Sequence, residues 1–248
     1  MASLMKFLGF MIVCVWCLLF FGYTSAAADS VILSPWTEVS KLEIKLANQR
    51  SFYRDGFLFV LGGSTNDDFS VVFRSSVLGG GLLSPWVSRS ELPYSTYFHS
   101  IALDNDFLYL LGGTQYPPTT SINYAYRGDV STPGIISDWV RISDLPHNLS
   151  QASAIYFKGR IFVSGGYSET SSGFVFFDDL IASDFDSNNN LTGWDVVKKL
   201  RIPVLSHAMF GYGDYLYIIG GRDSDFRPLS NVYRVRVSDD GTLGDWET

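Results

Sequence analysis

Beyond residue 28 the chain contains no cysteine, because Cys14 and Cys17 both lie before that point. That long remainder can hold no disulfide, no thiolate nucleophile and no cysteine metal site, so packing alone must keep it folded. Charge is scarce as well, at 17% of 248 residues, and acidic groups outnumber basic ones for a net charge of −7. Such a surface repels phosphate backbones and anionic headgroups, which argues against nucleic acid as a partner. There is no G-x-S-x-G, no glycine-rich phosphate loop and no H-E-x-x-H, so the motifs of common hydrolases, nucleotide binders and zinc proteases are missing. No cofactor is expected from this inventory.

Apolar residues, by contrast, make up 46% of the chain, ample for a core. The first 28 have their own layout: a lone Lys6, an uncharged run from Phe7 to Tyr23, then Thr24, Ser25 and Ala26 to Ala28. This is the order of a secretory signal peptide, ending in small residues suited to cleavage. An uncleaved signal anchor is the alternative, since the run approaches the length that spans a bilayer. Cys14-x-x-Cys17 inside it is a pair of small hydrophobes rather than a redox motif. The expected location is therefore secreted, extracellular or periplasmic, and the membrane is a partner only if the leader stays attached. Two sequons, Asn148-Leu-Ser150 and Asn190-Leu-Thr192, agree with that compartment as candidate glycosylation sites.

The rest of the chain repeats. Leu-Ser-Pro-Trp at Leu33 to Trp36 recurs at Leu83 to Trp86, and looser spellings end at Trp139, Trp194 and Trp246. From each of the first four tryptophans to the next Gly pair, at Gly62, Gly112, Gly165 and Gly220, the distance is 26 residues. A leucine stands six residues after each Trp, at Leu42, Leu92, Leu145 and Leu200. The return distance from Gly pair to Trp varies as 24, 27, 29 and 26, so one half of the unit is rigid and the other absorbs insertions. The runs Phe57 to Leu61, Phe107 to Leu111, Arg160 to Ser164 and Tyr215 to Ile219, each ending at a Gly pair, are short, aromatic and β-branched, as buried strands are. Asp55-Gly56, Asn105-Asp106, Lys158-Gly159 and Gly213-Asp214 precede them and suit tight hairpins. With a strand before each hairpin, one after each Gly pair and one at each Trp, every unit is a four-stranded antiparallel sheet. Such a sheet has two apolar faces, and radial stacking of blades buries both. The Gly pair is expected to end an inner strand, with the Trp and leucine wedged between blades.

A Gly pair after an apolar strand, then an aromatic, a Trp and a Leu-Pro step, at a period near 50, resembles the kelch repeat. The resemblance covers Trp36 to Trp246 and implies an all-β fold, a β-propeller of four recognisable four-stranded blades, in repeats 36–85, 86–138, 139–193 and 194–246 of a domain 29–248. Kelch propellers often have six or seven blades, so an incomplete ring or a fragment of a larger propeller is a further expectation. The strand Val31 to Val39 is expected to complete the last blade, which leaves the strand at Trp246 without one.

Function is then expected in the loops that follow the Gly pairs, where the copies differ: Asn66, Asp67, Gln115, Tyr116, Tyr167, Glu169, Arg222 and Asp223. His99 and His207 share one repeat position, 13 residues before their Gly pairs, and are expected to form hydrogen bonds in a loop or channel rather than hold a metal. Two functions remain open. The first is a non-catalytic module that binds an extracellular protein or glycan through these loops. The second, implied by resemblance to the kelch-type sialic acid mutarotase, is a carbohydrate-active enzyme in which Glu169 supplies the acid or base and Arg222 the anion partner. The copper chemistry of galactose oxidase, another enzyme of this kind, is excluded for want of a cysteine.

Overall fold

The computed structural model describes residues 35–64, 70–116, 118–188 and 190–248. The expected leader, with Val31 to Ser34, Asn66 and Asp67, lies outside the described residues. Two compact units meet at Thr37 in the sequence, Met1–Thr37 and Glu38–Thr248, and the second holds every strand described below.

Among the described residues the strands form four four-stranded antiparallel sheets and two small hairpins. Blade 1 is β1 (Arg50–Arg54), β2 (Phe57–Leu61), β3 (Val71–Ser76) and β4 (Val87–Glu91). Blade 2 begins with β5 (Ser100–Leu103) and β6 (Phe107–Leu111), makes the hairpin β7 (Thr114–Gln115) and β8 (Thr120–Ser121), and ends with β9 (Ala125–Asp129) and β10 (Ser137–Arg141). Blade 3 repeats this plan with β11 (Ser153–Phe157), β12 (Arg160–Ser164), the hairpin β13 (Tyr167–Thr170) and β14 (Gly173–Phe176), then β15 (Asp179–Ser183) and β16 (Asp195–Lys199). Blade 4 is β17 (Ala208–Tyr212), β18 (Tyr215–Ile219), β19 (Val232–Val237) and β20 (Leu243–Glu247). Every blade runs as a simple meander, and every outermost pair carries a register shift, an irregularity that increases local twist.

The strand ending at the Gly pair is an inner one, second in its blade; β5, β11 and β17 lie side by side, so the first strand of each blade faces the axis. Two expectations need correction. Trp246 has a blade, because β20 is the outer strand of blade 4. The expected strand at Val31 to Val39 is absent from its described part, where 35–39 form no strand and Trp36 is 95% exposed. A strand persists only with a ladder to join, and on blade 4 that ladder is filled by β20. The Trp-to-Trp period and the blade thus share a length but not a phase.

Neighbouring blades are joined by alternation. In β6, Leu108 and Leu110 point to blade 1 and pack with Phe59, Leu61 and Val72, while Tyr109 and Leu111 point to blade 3 and meet Ile161 and Val163. Phe162 and Leu180 then pack with Leu216 and Val235 of blade 4. Leu92, Leu145 and Leu200 are buried and join such clusters. Trp194 and Trp246 donate their indole N–H back to the preceding blade, to Ser143 O at 2.9 Å and Lys199 O at 2.7 Å. Burying one such side chain contributes about 1.5–3 kcal/mol.

The Gly pairs seal the seams. Both glycines of each pair have positive φ, and a Cβ on Gly112 would lie 2.5 Å from Leu149 O of the next seam. The second glycine donates its N–H across the seam, Gly63 to Thr96 O (3.2 Å), Gly113 to Leu149 O (2.7 Å) and Gly166 to Val204 O (2.8 Å). Nearer the axis a backbone belt runs from blade to blade, Phe98 N–H to Asn48 O, Gln151 N–H to Phe98 O and Ser206 N–H to Gln151 O, at 3.2, 3.1 and 2.8 Å. Its four residues all hold positive φ, a conformation that costs side-chain-bearing residues about 1 kcal/mol or more.

Candidate functional site

Beyond the Gly pairs the chain leaves the blades before it returns as their third strands. In blade 2 the excursion is the hairpin β7–β8 and in blade 3 the hairpin β13–β14. In blade 4 it is a loop in which the Asp223 carboxylate accepts the backbone N–H groups of Asp225 and Arg227, both at 2.9 Å. The Glu169 N–H donates to Ser121 Oγ at 3.1 Å, tying the blade 3 hairpin to blade 2. On its other side that hairpin meets blade 4 through rings: Phe174 and Phe176 stand edge-on to Phe226, with centroids 5.9 and 5.7 Å apart. Tyr167 completes the cluster, 5.1 Å from Phe174. Phe174 is 49% exposed, Tyr116 47% and Phe226 39%, so large apolar rings stand at the surface of one rim. Burial, followed by the nearby Tyr167 and Glu169, raises the Tyr97 phenol, which places Tyr97 beside that hairpin.

The predicted site residues are thus sorted. Tyr167 stands in the aromatic rim, Tyr116 and Glu169 are exposed on the same side, and half-buried Gln115 pairs with Thr120. Glu169 and Arg222 form no ion pair with each other: Glu169 is tied through its backbone N–H to Ser121, and Arg222 is bridged by its backbone to Leu205 and Pro228. Asp223 shapes its loop. Both sequon asparagines, Asn148 and Asn190, are exposed. His99 is fully buried and no part of the loop surface, with its ring beside Gly62 and its Cβ beside Gly113.

His207 is buried too, and its Nε2 lies 2.7 Å from Ser164 Oγ. It lines a half-open cavity of about 420 Å³ at the axis, to which all four blades contribute, among them through Arg50 and Ser51, Ile101, Ala154 and Met209. Burial, with the Arg50 charge second, pushes His207 down to about 4 and His99 down to about 3, so both imidazoles are neutral near pH 7. Burial also lowers Arg50. Among the described residues no three or more acidic, His or Cys side chains group as a metal site.

Sequence reasoning missed Arg50, Phe174, Phe176 and Phe226. Arg50 had a signal: 12 residues before the Gly pair the other copies carry Ser100, Ser153 and Ala208, and only the first carries a charge. The rings had none, because they fall in the half of the repeat whose length varies.

The four-stranded meanders, the Gly-pair seams and the period near 50 now meet the comparisons. No protein-family model matches the chain. It is 25% identical over 211 residues to "Kelch repeat and BTB domain-containing protein 1" of horsepox virus, covering 83% of this chain and 34% of that protein. It is also 25% identical over 172 residues to "Kelch-like protein terF" of Aspergillus terreus, covering 67% and 37%. The chain is an all-β propeller, and the curated proteins it matches are kelch-repeat proteins. It spans about a third of the length of the curated kelch relatives it matches. A solved structure titled "Structure of YjhT" superposes on this propeller with a TM-score of 0.66 at 14% identity, over 84% of this chain and 70% of that one; at that identity the likeness concerns fold alone.

Proposed function

We propose that this kelch propeller is a non-catalytic binding module, acting outside the cytosol, whose aromatic rim receives an apolar segment of a partner protein. The observation that carries the proposal is the contiguous set Tyr167, Phe174, Phe176 and Phe226, with Phe174 and Phe226 at the surface. Exposed aromatic clusters on rigid scaffolds are the usual anchors of protein interfaces, where a few residues dominate affinity. Edge-to-face rings offer an irregular apolar relief rather than the flat platform on which a sugar ring stacks, which favours a protein over a glycan. The leader-like Met1 to Ala28 supports the extracellular setting.

The test is cross-linking of the full chain to its partner in the secretory route, followed by direct affinity measurement with Phe174→Ala/Phe226→Ala. Loss of about thirtyfold or more in affinity, at unchanged melting temperature, is expected from two central aromatic anchors. Equal affinity of variant and wild type, or binding of wild type only to arrayed glycans, would overturn the reading.

A further inference from the structure

We propose that the molecule pairs with a second copy of itself, blade 4 of each packing on blade 1 of the other, so that the series of seams continues from chain to chain. The three seams within the chain share one set of bonds. In each, the second glycine of the pair donates to the carbonyl four residues beyond the seam leucine: Gly63 to Thr96 O, Gly113 to Leu149 O and Gly166 to Val204 O. The fourth member of that series is Gly221 with Leu46, four residues beyond Leu42. Among the described residues neither the Gly221 N–H nor the Leu46 carbonyl has a backbone partner. The axial belt breaks off in the same way, for Asn48, Phe98, Gln151 and Ser206 are linked in turn and leave the Ser206 carbonyl and the Asn48 N–H unused. Each end of the molecule thus holds one spare donor and one spare acceptor, in the positions that three formed seams pair. No backbone hydrogen bond among the described residues joins blade 4 to blade 1, so the two ends do not satisfy each other.

The side chains continue the series independently. Phe210, Tyr212 and Val232, on the outward face of blade 4, are 41%, 75% and 47% exposed, an apolar sheet face of the kind that marks an interface. What covers such a face within the chain is Leu108 and Leu110 of β6, and Leu58 and Val60 hold the same positions of β2, on the face that alternation turns away from blade 2. The seam leucines Leu92, Leu145 and Leu200 are buried, whereas Leu42 is half-buried and Ile44 beside it is 36% exposed. Arg74 donates across its seam to Gly134 O, in the loop between the third and fourth strands of the next blade. Its counterpart Arg234 is held only at the surface, by Glu247, and the matching loop of blade 1 is the exposed Gly79–Gly81. A second copy carries both halves of this seam at the right spacing, and a two-fold axis joins both pairs of ends at once, leaving no end open.

A seam between chains carries a rigid-body cost that a seam within one chain does not, so the pair depends on concentration. Light scattering of the full chain should show its mass double between about 1 µM, where the end faces are bare and unfolding reports the single chain, and about 200 µM. Val232→Glu on blade 4 and Ile44→Glu on the blade 1 side, both at exposed positions, should each weaken pairing at least tenfold without lowering the melting temperature of the dilute chain. Mixed together, the two variants should pair more tightly than either alone, because one seam of the mixed pair joins two unaltered faces. Asn48→Cys/Ser206→Cys puts thiols at the two loose ends of the belt in a chain with no other cysteine beyond residue 28. A short bismaleimide should link that variant, and not the parent chain, as a covalent dimer. A link within one chain overturns the pair, since four blades then close on themselves, and a ladder of higher multiples overturns the two-fold closure. A monomer mass at the higher concentration, or a dimer indifferent to both Glu variants, overturns the surface. Should either Glu variant fail to fold, the cross-link decides.

Discussion

The seam between blades 1 and 2 and the outward face of blade 4 are built from nearly the same side chains, yet only one of them is covered. In blade 1, Phe52 stacks on Phe59 with centroids 4.6 Å apart, and Arg74 lies 5.0 Å over Phe57. In blade 4, Phe210 stacks on Tyr217 at 4.8 Å, and Arg234 lies 4.5 Å over Tyr215. Blade 2 then closes on the first set, leaving Phe59 buried and Phe52 half-buried, while their counterparts Tyr217 and Phe210 are half-buried and 41% exposed. The difference extends to the backbone: a Cβ on Gly112 would collide with Leu149 O, whereas one on Gly220 would meet nothing closer than its own blade's Leu229 O at 3.4 Å. A blade's own sequence makes its stacks and turns, and its neighbour supplies the burial that turns them into stability.

The largest expected effect breaks that contrast at the glycines. Gly112→Ala adds a steric collision to an unfavourable positive φ and should destabilise by about 3 kcal/mol or more, whereas Gly220→Ala carries only the φ penalty of about 1 kcal/mol. Urea unfolding of the two variants measures the gap, and equal losses would mean that the seam is not sealed there. Leucines sharpen it next. Leu145→Ala, at a fully covered seam, should cost about 2–5 kcal/mol, while Leu42→Ala, at the equivalent but half-buried position, should cost about 1 kcal/mol or less.

A smaller effect follows from the two buried histidines. Burial and the Arg50 charge hold both below their ordinary value of 6.5, at about 3 for His99 and about 4 for His207. The unfolded chain therefore binds protons that the folded chain refuses. Stability should be at its plateau above pH 6.5 and fall as pH drops from there toward about 4, by up to about 1.4 kcal/mol per pH unit for each histidine. His207→Gln should remove close to half of that slope in melting curves between pH 6.5 and 4.5. An unchanged slope would show that the imidazole titrates normally in the fold.

How much of this was legible in the sequence follows from the same logic. Trp139 and Leu145 announced their blade because packing against a neighbour of fixed geometry holds their spacing to the Gly pair constant. The phase of the blade was not legible: a period has no origin, and only hydrogen bonding shows that β20, not the segment at Trp36, completes blade 4. The strand before each Gly pair was legible as an inner strand because its continuous apolar run suits burial on both faces, but its rank from the axis was not, since a strand between two others is buried wherever it stands in the sheet. The rim of Phe174 and Phe226 was hidden because it arises from loops of unequal length meeting across a seam, a contact with no fixed spacing. Arg50 was visible as the one charge at its repeat position, and the structure adds that it lines the axial cavity.

The smallest effect concerns the outward face itself. Phe52→Ala should cost about 3 kcal/mol, because the ring is held both by Phe59 and by the blade 1–2 core. Phe210→Ala removes the same kind of stack from an exposed face and should cost about 1 kcal/mol or less, the value of an aromatic pair without the burial. Equilibrium unfolding of both variants isolates the neighbour's contribution from the blade's own. A loss at Phe210 as large as at Phe52 would mean that the outward face of blade 4 is covered in solution, and the contrast between the two regions would disappear.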